Sequence, residues 1–390
     1  MTAVAQTRDR WKMGVEARAL VLLTAVLLAF GLAVLYSASA MVAVQADRRS
    51  AYYLIRQLTG LGVGVVAFAV AAKMDAERWN RWAWPLMAAT MAMLLIIVLP
   101  FTTSIAPRIN GSRRFLFGAS IQPSEIGKLA VIMWTSMLVV KKGDQLRRLT
   151  KGLLPFLVVI GVLDALVVLE PDLSVAMMYT LVMGIILFAG GVRIGHFVVL
   201  GILGIPVLWH EMERLQYVVL RMVTFLDPGS APQGIEYQLN QSLIAVGSGG
   251  LLGRGFGEGR QQLGFVPFGY NDFIASNIGE EWGFIGLALL TVAFACYAWL
   301  GFRIARSARS PFLQLVAIGL TVTVVVTAYL HIGVVVGLLP TTGLTLPFIS
   351  YGRSNLVLSL FMTGLLVNIG SSKERVHGAA ATDPLAAPAW

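Results

Sequence analysis

Charge is what this sequence has least of. Lys, Arg, Asp and Glu make up 13% of its 390 residues while 57% are hydrophobic, and mean hydropathy is +0.76. A soluble domain carries roughly 25% charged residues. No water-soluble core hides this much apolar surface, so the chain is an integral membrane protein, and soluble-enzyme, nucleic-acid-binding and disordered classes are excluded. The single cysteine, Cys296, lies in the apolar run 293–300, which leaves no disulfide framework and no thiolate metal site. The four histidines (His196, His210, His331 and His377) are scattered, which argues against an imidazole metal centre. No internal repeat is evident, which weakens an inverted-repeat transporter. The +10 net charge comes from Lys and Arg gathered between apolar runs, as an anionic membrane face demands.

What is there is a series of apolar runs, each long enough to cross about 30 Å of hydrocarbon. They fall at 18–42, 51–72, 82–101, 124–140, 152–169, 173–190, 197–219, 273–299, 312–336 and 353–370. The fold class expected is all-α, a polytopic membrane protein of about ten transmembrane helices with a large extracytoplasmic loop, 220–272, between helices seven and eight. Residues 1–16 form a cytoplasmic arm, 17–371 the membrane domain and 372–390 a tail, Ala- and Pro-rich from Gly378 and expected to be disordered. The fifth and sixth runs are separated only by Leu169-Glu170-Pro171-Asp172, which reads as a break at a membrane surface, a re-entrant hairpin being the alternative. The first run ends at Ser37-Ala38-Ser39-Ala40 but is too long for a signal peptide. Lys141, Lys142, Arg147, Arg148 and Lys151 crowd one connection. The positive-inside rule then puts both termini in the cytoplasm and the loops 102–123, 220–272 and 337–352 outside.

Polar chemistry concentrates in those outer loops. Asp272 stands at the mouth of the eighth helix, where an aspartate is an ordinary N-cap. Asp272, Ser276, Gly279 and Gly283 share one face of that helix, a small-residue stripe suited to close approach or a cavity. Glu280 and Glu281 lie ~12–14 Å deeper. There they need a cation, a proton or a water-filled cavity, and Lys128 is one available cation. Arg113 and Arg114, after the Asn110-Gly111 turn and beside Phe115, can clamp phosphates bidentately, although exposed arginines also sit at lipid headgroups. Gln122, Ser124 and the i,i+3 pair Glu125–Lys128 read equally well as ordinary helix-start features. Phe225-Leu226-Asp227-Pro228 reads as a helix end and turn. Tyr237-Gln238-Leu239-Asn240-Gln241-Ser242 reads as a polar helix entering the glycine-rich stretch 247–259, with Arg254 and Arg260. That stretch lacks the Lys-Ser/Thr of a P-loop, so nucleotide binding is not supported. The last loop, 339–353, which holds Ser350, is Pro/Gly-broken backbone that survives at membrane depth only inside protein or beside a cavity.

In order and spacing these segments resemble the SEDS family (shape, elongation, division and sporulation proteins) over most of 18–370. The carriers are YSASA at 36–40, NGSRRF at 110–115, QPSEIGKLA at 122–130, EPDLS at 170–174, FLDP at 225–228, YQLNQS at 237–242, GSGGLLGRGFG at 247–257, NDFIASNIGEEWGFIG at 271–286 and GLLPTTGLTLPFISYG at 337–352. The resemblance implies a ten-helix peptidoglycan glycosyltransferase of the bacterial cytoplasmic membrane, active on the outer face. It would polymerise lipid II, release undecaprenyl diphosphate and work with a class B penicillin-binding protein and other divisome membrane proteins. The family's essential aspartate maps onto Asp272, which makes it the expected base. Removing a proton from a sugar hydroxyl while a diphosphate leaves an anomeric carbon asks for one carboxylate and for cations, or a divalent ion such as Mg or Mn, at the diphosphate. One base suits inversion. Arg113, Arg114, Arg254 and Arg260 are the diphosphate candidates, with Lys128, Gln122, Ser124, Gln241, Ser242 and Ser350 as further polar contacts and Glu280, Glu281 and Asp172 as supporting carboxylates; no residues are assigned as metal ligands. YSASA favours the division branch and hence the septum. The sequence departs from the family pattern at Phe115 (usually Trp), Glu170 (usually Gln), Phe268 (usually Glu), Tyr270-Asn271 (usually His-Thr) and Arg353-Ser354-Asn355 (usually Gly-Ser-Ser). A lipid II flippase and a noncatalytic divisome scaffold are the alternative readings.

Overall fold

The computed structural model describes residues 7–99, 122–214 and 235–377, with 101–102, 106–107, 113–116, 219, 221–223 and 225 between them. Its helices are α1 (Val15–Gln45), α2 (Tyr52–Lys73), α3 (Arg78–Val98), α4 (Pro123–Lys142), α5 (Leu154–Leu169), α6 (Leu173–Ala189), α7 (Ile194–Arg214), α8 (Ile235–Gly249), α9 (Ile274–Arg306), α10 (Pro311–Val335) and α11 (Arg353–Ile369). Every apolar run falls on a helix. Seven of these segments are long and apolar enough to cross a membrane, and Leu173–Ala189, Ile194–Pro206 and Arg353–Ile369 are shorter apolar helices. The additional helix, α8, grows from the polar stretch that begins at Tyr237. Asn110, Gly111 and Ser112, Leu226-Asp227-Pro228 and the tail from Gly378 lie outside the described residues.

Helix boundaries follow local chemistry. Pro123 and Pro311 occupy first-turn positions of α4 and α10, where a missing N–H costs nothing. Ser310 caps α10 by accepting from the Leu313 N–H at 3.3 Å. Asp172 caps α6 by accepting from the Val175 N–H at 3.4 Å, so Glu170-Pro171-Asp172 is a true break between two helices. The chain ends pair as a two-stranded antiparallel ribbon of β1 (Thr7–Met13) and β2 (Ser371–His377). Residues 372–377, expected to belong to a disordered tail, are held by that pairing. It also sets Thr7–Met13 and Ser371–His377 at one end of the bundle.

α4 and α10 run through the middle of the bundle with most of their residues buried, whereas α2 and α3 turn apolar side chains outward. Around that centre α2 lies against α11, α9 against α1 and α10, and α3 against α4. The α2–α11 contact is close because Gly364 has no side chain: a Cβ there would stand 2.5 Å from the Phe68 carbonyl oxygen. The end bearing the termini is tied by ion pairs Arg303–Glu16 at 3.1 Å and Arg309–Asp75 at 3.5 Å.

At the opposite end α8 and the loop after it fold against α9. That helix breaks its regular turn at Gly283 (φ 66, ψ −161). The freed groups pair across to the loop: Arg254 N–H donates to the Glu280 carbonyl and Gly255 N–H to that of Glu281, both at 3.0 Å, and Phe284 N–H donates to the Gly250 carbonyl at 2.9 Å. Irregular backbone beside membrane helices is tolerated because its polar groups are satisfied by protein. Leu251, Leu252 and Phe256 stand exposed on this loop.

Candidate functional site

The site forms where three connections meet at the end of the bundle away from the termini. The first is the turn between α5 and α6. Arg114 wraps it, donating from Nε to the Glu170 carbonyl at 3.2 Å and from Nη2 to the Pro171 carbonyl at 2.5 Å, with Nη1 3.4 Å from Asp172 Oδ2. Burial pushes the Asp172 carboxyl up, and Arg114, then the bond from the Val175 N–H, then Lys128 oppose it. The second connection is the segment after α10. Ser174 donates to the Thr342 carbonyl at 2.8 Å and Arg221 to the Thr341 carbonyl at 3.1 Å. The third carries Asp272, whose Oδ2 lies 3.9 Å from where a Cβ on Gly343 would stand.

Asp272 is not the N-cap that its position suggested. The capping position of α9 is Phe273, with no side-chain cap bond, and Asp272 contributes only its backbone N–H, to the Phe268 carbonyl at 3.1 Å. Its half-buried carboxylate accepts no hydrogen bond among the described residues. Burial raises its pKa to about 6; Arg221 and then Arg114 pull it down, and the Asp172 charge adds to the rise. A carboxylate with free lone pairs, titrating just below neutrality and flanked by two guanidiniums, has the properties of a general base beside an anion site.

Its position is fixed from behind. Ser350 donates to the Asn271 carbonyl at 2.7 Å and accepts from the Leu346 N–H at 2.9 Å. Gln57 of α2 clamps the same loop, donating to the Ser350 carbonyl at 3.0 Å and accepting from the Gly352 N–H at 3.1 Å. Tyr351 N–H donates to the Tyr270 carbonyl at 3.1 Å, and the rings of Tyr53, Tyr270 and Tyr351 pack with centroids 4.5–5.8 Å apart. Under the α5–α6 turn, Lys128 and Glu125 form a buried ion pair at 2.7 Å. Gln122 donates to Ser124 Oγ at 3.1 Å, and Tyr179 donates to the Ser124 carbonyl.

The expected residues therefore divide. Asp272, Arg114 and Asp172 are brought together, with Lys128, Gln122 and Ser124 beneath and Ser350 behind. Arg113 turns away, donating to the Leu99 carbonyl at the end of α3 at 3.0 Å. Arg254 and Arg260 stand about two helical turns along α9 from Asp272: Arg254 Nε donates to the Ser248 carbonyl at 3.3 Å, and Arg260 uses its backbone N–H on Glu280 Oε1 at 2.9 Å. Glu280 also accepts from the Gln261 N–H at 3.0 Å, and Glu281 accepts from the Ser37 hydroxyl. These two carboxylates are thus served by the loop and α1; Lys128, weighed as their cation, is spent on Glu125. Ser242 donates to the Val335 carbonyl at 3.0 Å and fastens α8 to α10, with Gln241 half-buried beside it. Among the described residues no three acidic, histidine or cysteine side chains gather as metal ligands. The side chains around Asp272 mix carboxylates with guanidiniums, a poor donor set for a protein-held divalent ion.

The motif set, the ten apolar helices and this site converge on one family. A model of cell cycle proteins of the FtsW, RodA and SpoVE type matches residues 18–375. The chain belongs to the FtsW/RodA/SpoVE family. It is 38% identical to a probable peptidoglycan glycosyltransferase FtsW of Trichlorobacter lovleyi, over 90% of this chain and 92% of that protein. It is 36% identical to stage V sporulation protein E of Bacillus subtilis, over 90% and 95%. A solved structure on the coordination of polymerization and crosslinking by a peptidoglycan synthase complex superposes with a TM-score of 0.74 at 25% identity, covering 90% of this chain and 97% of that one. In sequence Arg221 reads as part of a long loop, because the seventh apolar run closes at residue 219. A cation directly after a transmembrane run that precedes the site aspartate was the available signal. In sequence Glu170 marks the break at 169–172 and a departure from the family pattern; its burial belongs to the fold.

Proposed function

We propose that this protein is a peptidoglycan glycosyltransferase that polymerises lipid II into glycan strands during division and releases undecaprenyl diphosphate. The observation that carries this reading is the Asp272 carboxylate, which accepts no hydrogen bond among the described residues and feels the charges of Arg221 and Arg114. Asp272 removes the proton from the acceptor sugar hydroxyl as that oxygen attacks the donor's anomeric carbon. The anomeric carbon–oxygen bond to the diphosphate breaks as the new bond forms, which inverts the configuration. Arg114 spends three of its N–H donors on the α5–α6 turn and Asp172. A guanidinium has five, so two remain for the departing diphosphate, and Arg221 adds a second charge. No step is assigned to a metal.

The surroundings agree with a synthase rather than a lipid II flippase. Glu280 and Glu281, which a translocation path would leave open to its cargo, are engaged by Arg260, Gln261 and Ser37. A scaffold gains nothing from a desolvated carboxylate between arginines. We assign the protein to the cytoplasmic membrane with its termini inside, the Asp272 end outside and a class B penicillin-binding protein beside it at the septum. The test is glycan-chain formation from lipid II by the reconstituted protein with its penicillin-binding partner. The wild type makes polymer and Asp272→Asn makes none; full activity in that variant overturns the base assignment.

A further inference from the structure

One buried acid at the site is left out of that mechanism. Glu170 is 2% exposed, and among the described residues neither of its carboxyl oxygens has a hydrogen-bond partner. Arg114 reaches the backbone carbonyl of Glu170 rather than its side chain, and gives its Nη1 to Asp172. An ionised carboxylate cannot persist in such a place, buried, unbonded and next to a second carboxylate; the group escapes by keeping its proton. Burial, followed by the Asp172 charge, pushes Glu170 up to about 9 against the pull of Arg114.

The charges facing it come from every element around the turn. Asp172 faces it from the turn itself, Arg114 from the loop that precedes α4, and Tyr179 from α6. Glu125 and Lys128 of α4 act on Asp172 and cancel each other. Asp164 of α5 faces Tyr179 and is bonded to Thr180 at 2.6 Å, and Asp272 lies beyond Asp172. With Glu170 neutral, Arg114 and Arg221 balance Asp172 and Asp272 among the described residues. With Glu170 ionised, the site carries a net negative charge where a diphosphate must bind.

We infer that Glu170 is a positioning residue for the diphosphate: held as a neutral acid behind Arg114, it keeps the guanidinium's charge for the phosphates, and its ionisation expels them. The inference rests on the proposed reading of the site as one that handles a polyprenyl diphosphate. It adds a pH-dependent element that the base and the arginines alone do not contain. Because Asp272 is deprotonated above about 6, the site works between two titrations, an acid one at Asp272 and an alkaline one at Glu170.

Two measurements on the full-length protein test it. The first is the infrared difference spectrum between wild type and Glu170→Gln at pH 7, in which a protonated-carboxyl stretch belonging to Glu170 is expected in the wild type and absent from the variant. No such band overturns the inference. The second is binding of undecaprenyl diphosphate, followed from pH 6 to 10 beside KM and kcat for lipid II. Wild-type affinity is expected to fall about tenfold per pH unit above the Glu170 titration, in KM and not kcat, and the Glu170→Gln profile to lose that limb. An alkaline limb identical in both proteins overturns it. Diphosphate binding that switches with pH in a protein that polymerises nothing sustains the role of Glu170 and sinks the synthase reading instead, so the two failures are distinguishable.

Discussion

Arg114 stands 3.4 Å from the carboxylate of Asp172 and at the same time holds the carbonyls of Glu170 and Pro171, so one guanidinium fixes the turn between two membrane helices while its charge acts on Asp272. A lysine there keeps the charge but not the planar fork. Arg114→Lys is expected to lower kcat/KM about tenfold and Arg114→Ala about a hundredfold, the sizes that follow from losing one or two charge-assisted hydrogen bonds. Steady-state glycan synthesis measures both. Equal activity in the lysine variant shows that only charge matters there.

The acid side of the rate profile belongs to Asp272. Its carboxyl, raised to about 6, acts as a base only when ionised, so kcat/KM is expected to fall about tenfold per pH unit below that value and to level off above it until the Glu170 titration. Arg221 holds this pKa down. Removing that cation in Arg221→Gln favours the protonated form and moves the acid limb to higher pH. A limb that stays in place, or moves to lower pH, contradicts the electrostatic coupling of the two residues.

The bundle was legible because its elements are hydrophobic runs of membrane length, and such runs have few alternatives to a helix. Each of the ten expected spans is a helix, including the pair split at Glu170-Pro171-Asp172. Placing the basic residues was harder. Arg254 and Arg260 read as anion ligands because they follow a run of glycines. Those glycines instead let the backbone lie against α9, which carries both arginines away from Asp272. Arg221 and Glu170 show the converse: a cation just after an apolar run and an acid at a helix break are visible in sequence, but their closeness to Asp272 and Asp172 arises only from loops meeting in space. The pairing of the two chain ends, nearly the full length apart in sequence, has the same character.

Beneath the turn, Lys128 and Glu125 are both almost fully buried and 2.7 Å apart. Breaking such a pair from one side leaves an uncompensated charge and costs about 3–5 kcal/mol. Lys128→Met is expected to lower stability by that amount in detergent, and the double variant Glu125→Gln, Lys128→Met to recover most of it. Thermal unfolding of the four proteins of this cycle gives the coupling energy. A double variant as unstable as Lys128→Met shows that the pair is not what the site rests on.

The contact between the glycine-rich loop and α9 depends on Gly283 in two separable ways. Its backbone (φ 66, ψ −161) lies in a region essentially closed to residues with a side chain, at a cost of about 1–3 kcal/mol. A Cβ there would also meet the Gly253 nitrogen at 2.4 Å, forcing the loop off the carbonyls of Glu280 and Glu281. Gly283→Ala is therefore expected to free the Arg254 and Gly255 N–H groups, which hydrogen exchange reads as a loss of protection confined to the loop. Gly247→Ala is the control, since it lies in α8 with nothing within 4 Å of the added methyl and gains helix propensity of about 0.5–1 kcal/mol. Because Ser350, Gln57 and the tyrosine cluster hold Asp272 without help from this loop, Gly283→Ala separates the two parts of the long segment. Loop protection collapses while the acid limb near pH 6 stays where it is. Movement of that limb with the loop makes the glycine-rich stretch part of the catalytic assembly and returns Arg254 to candidacy.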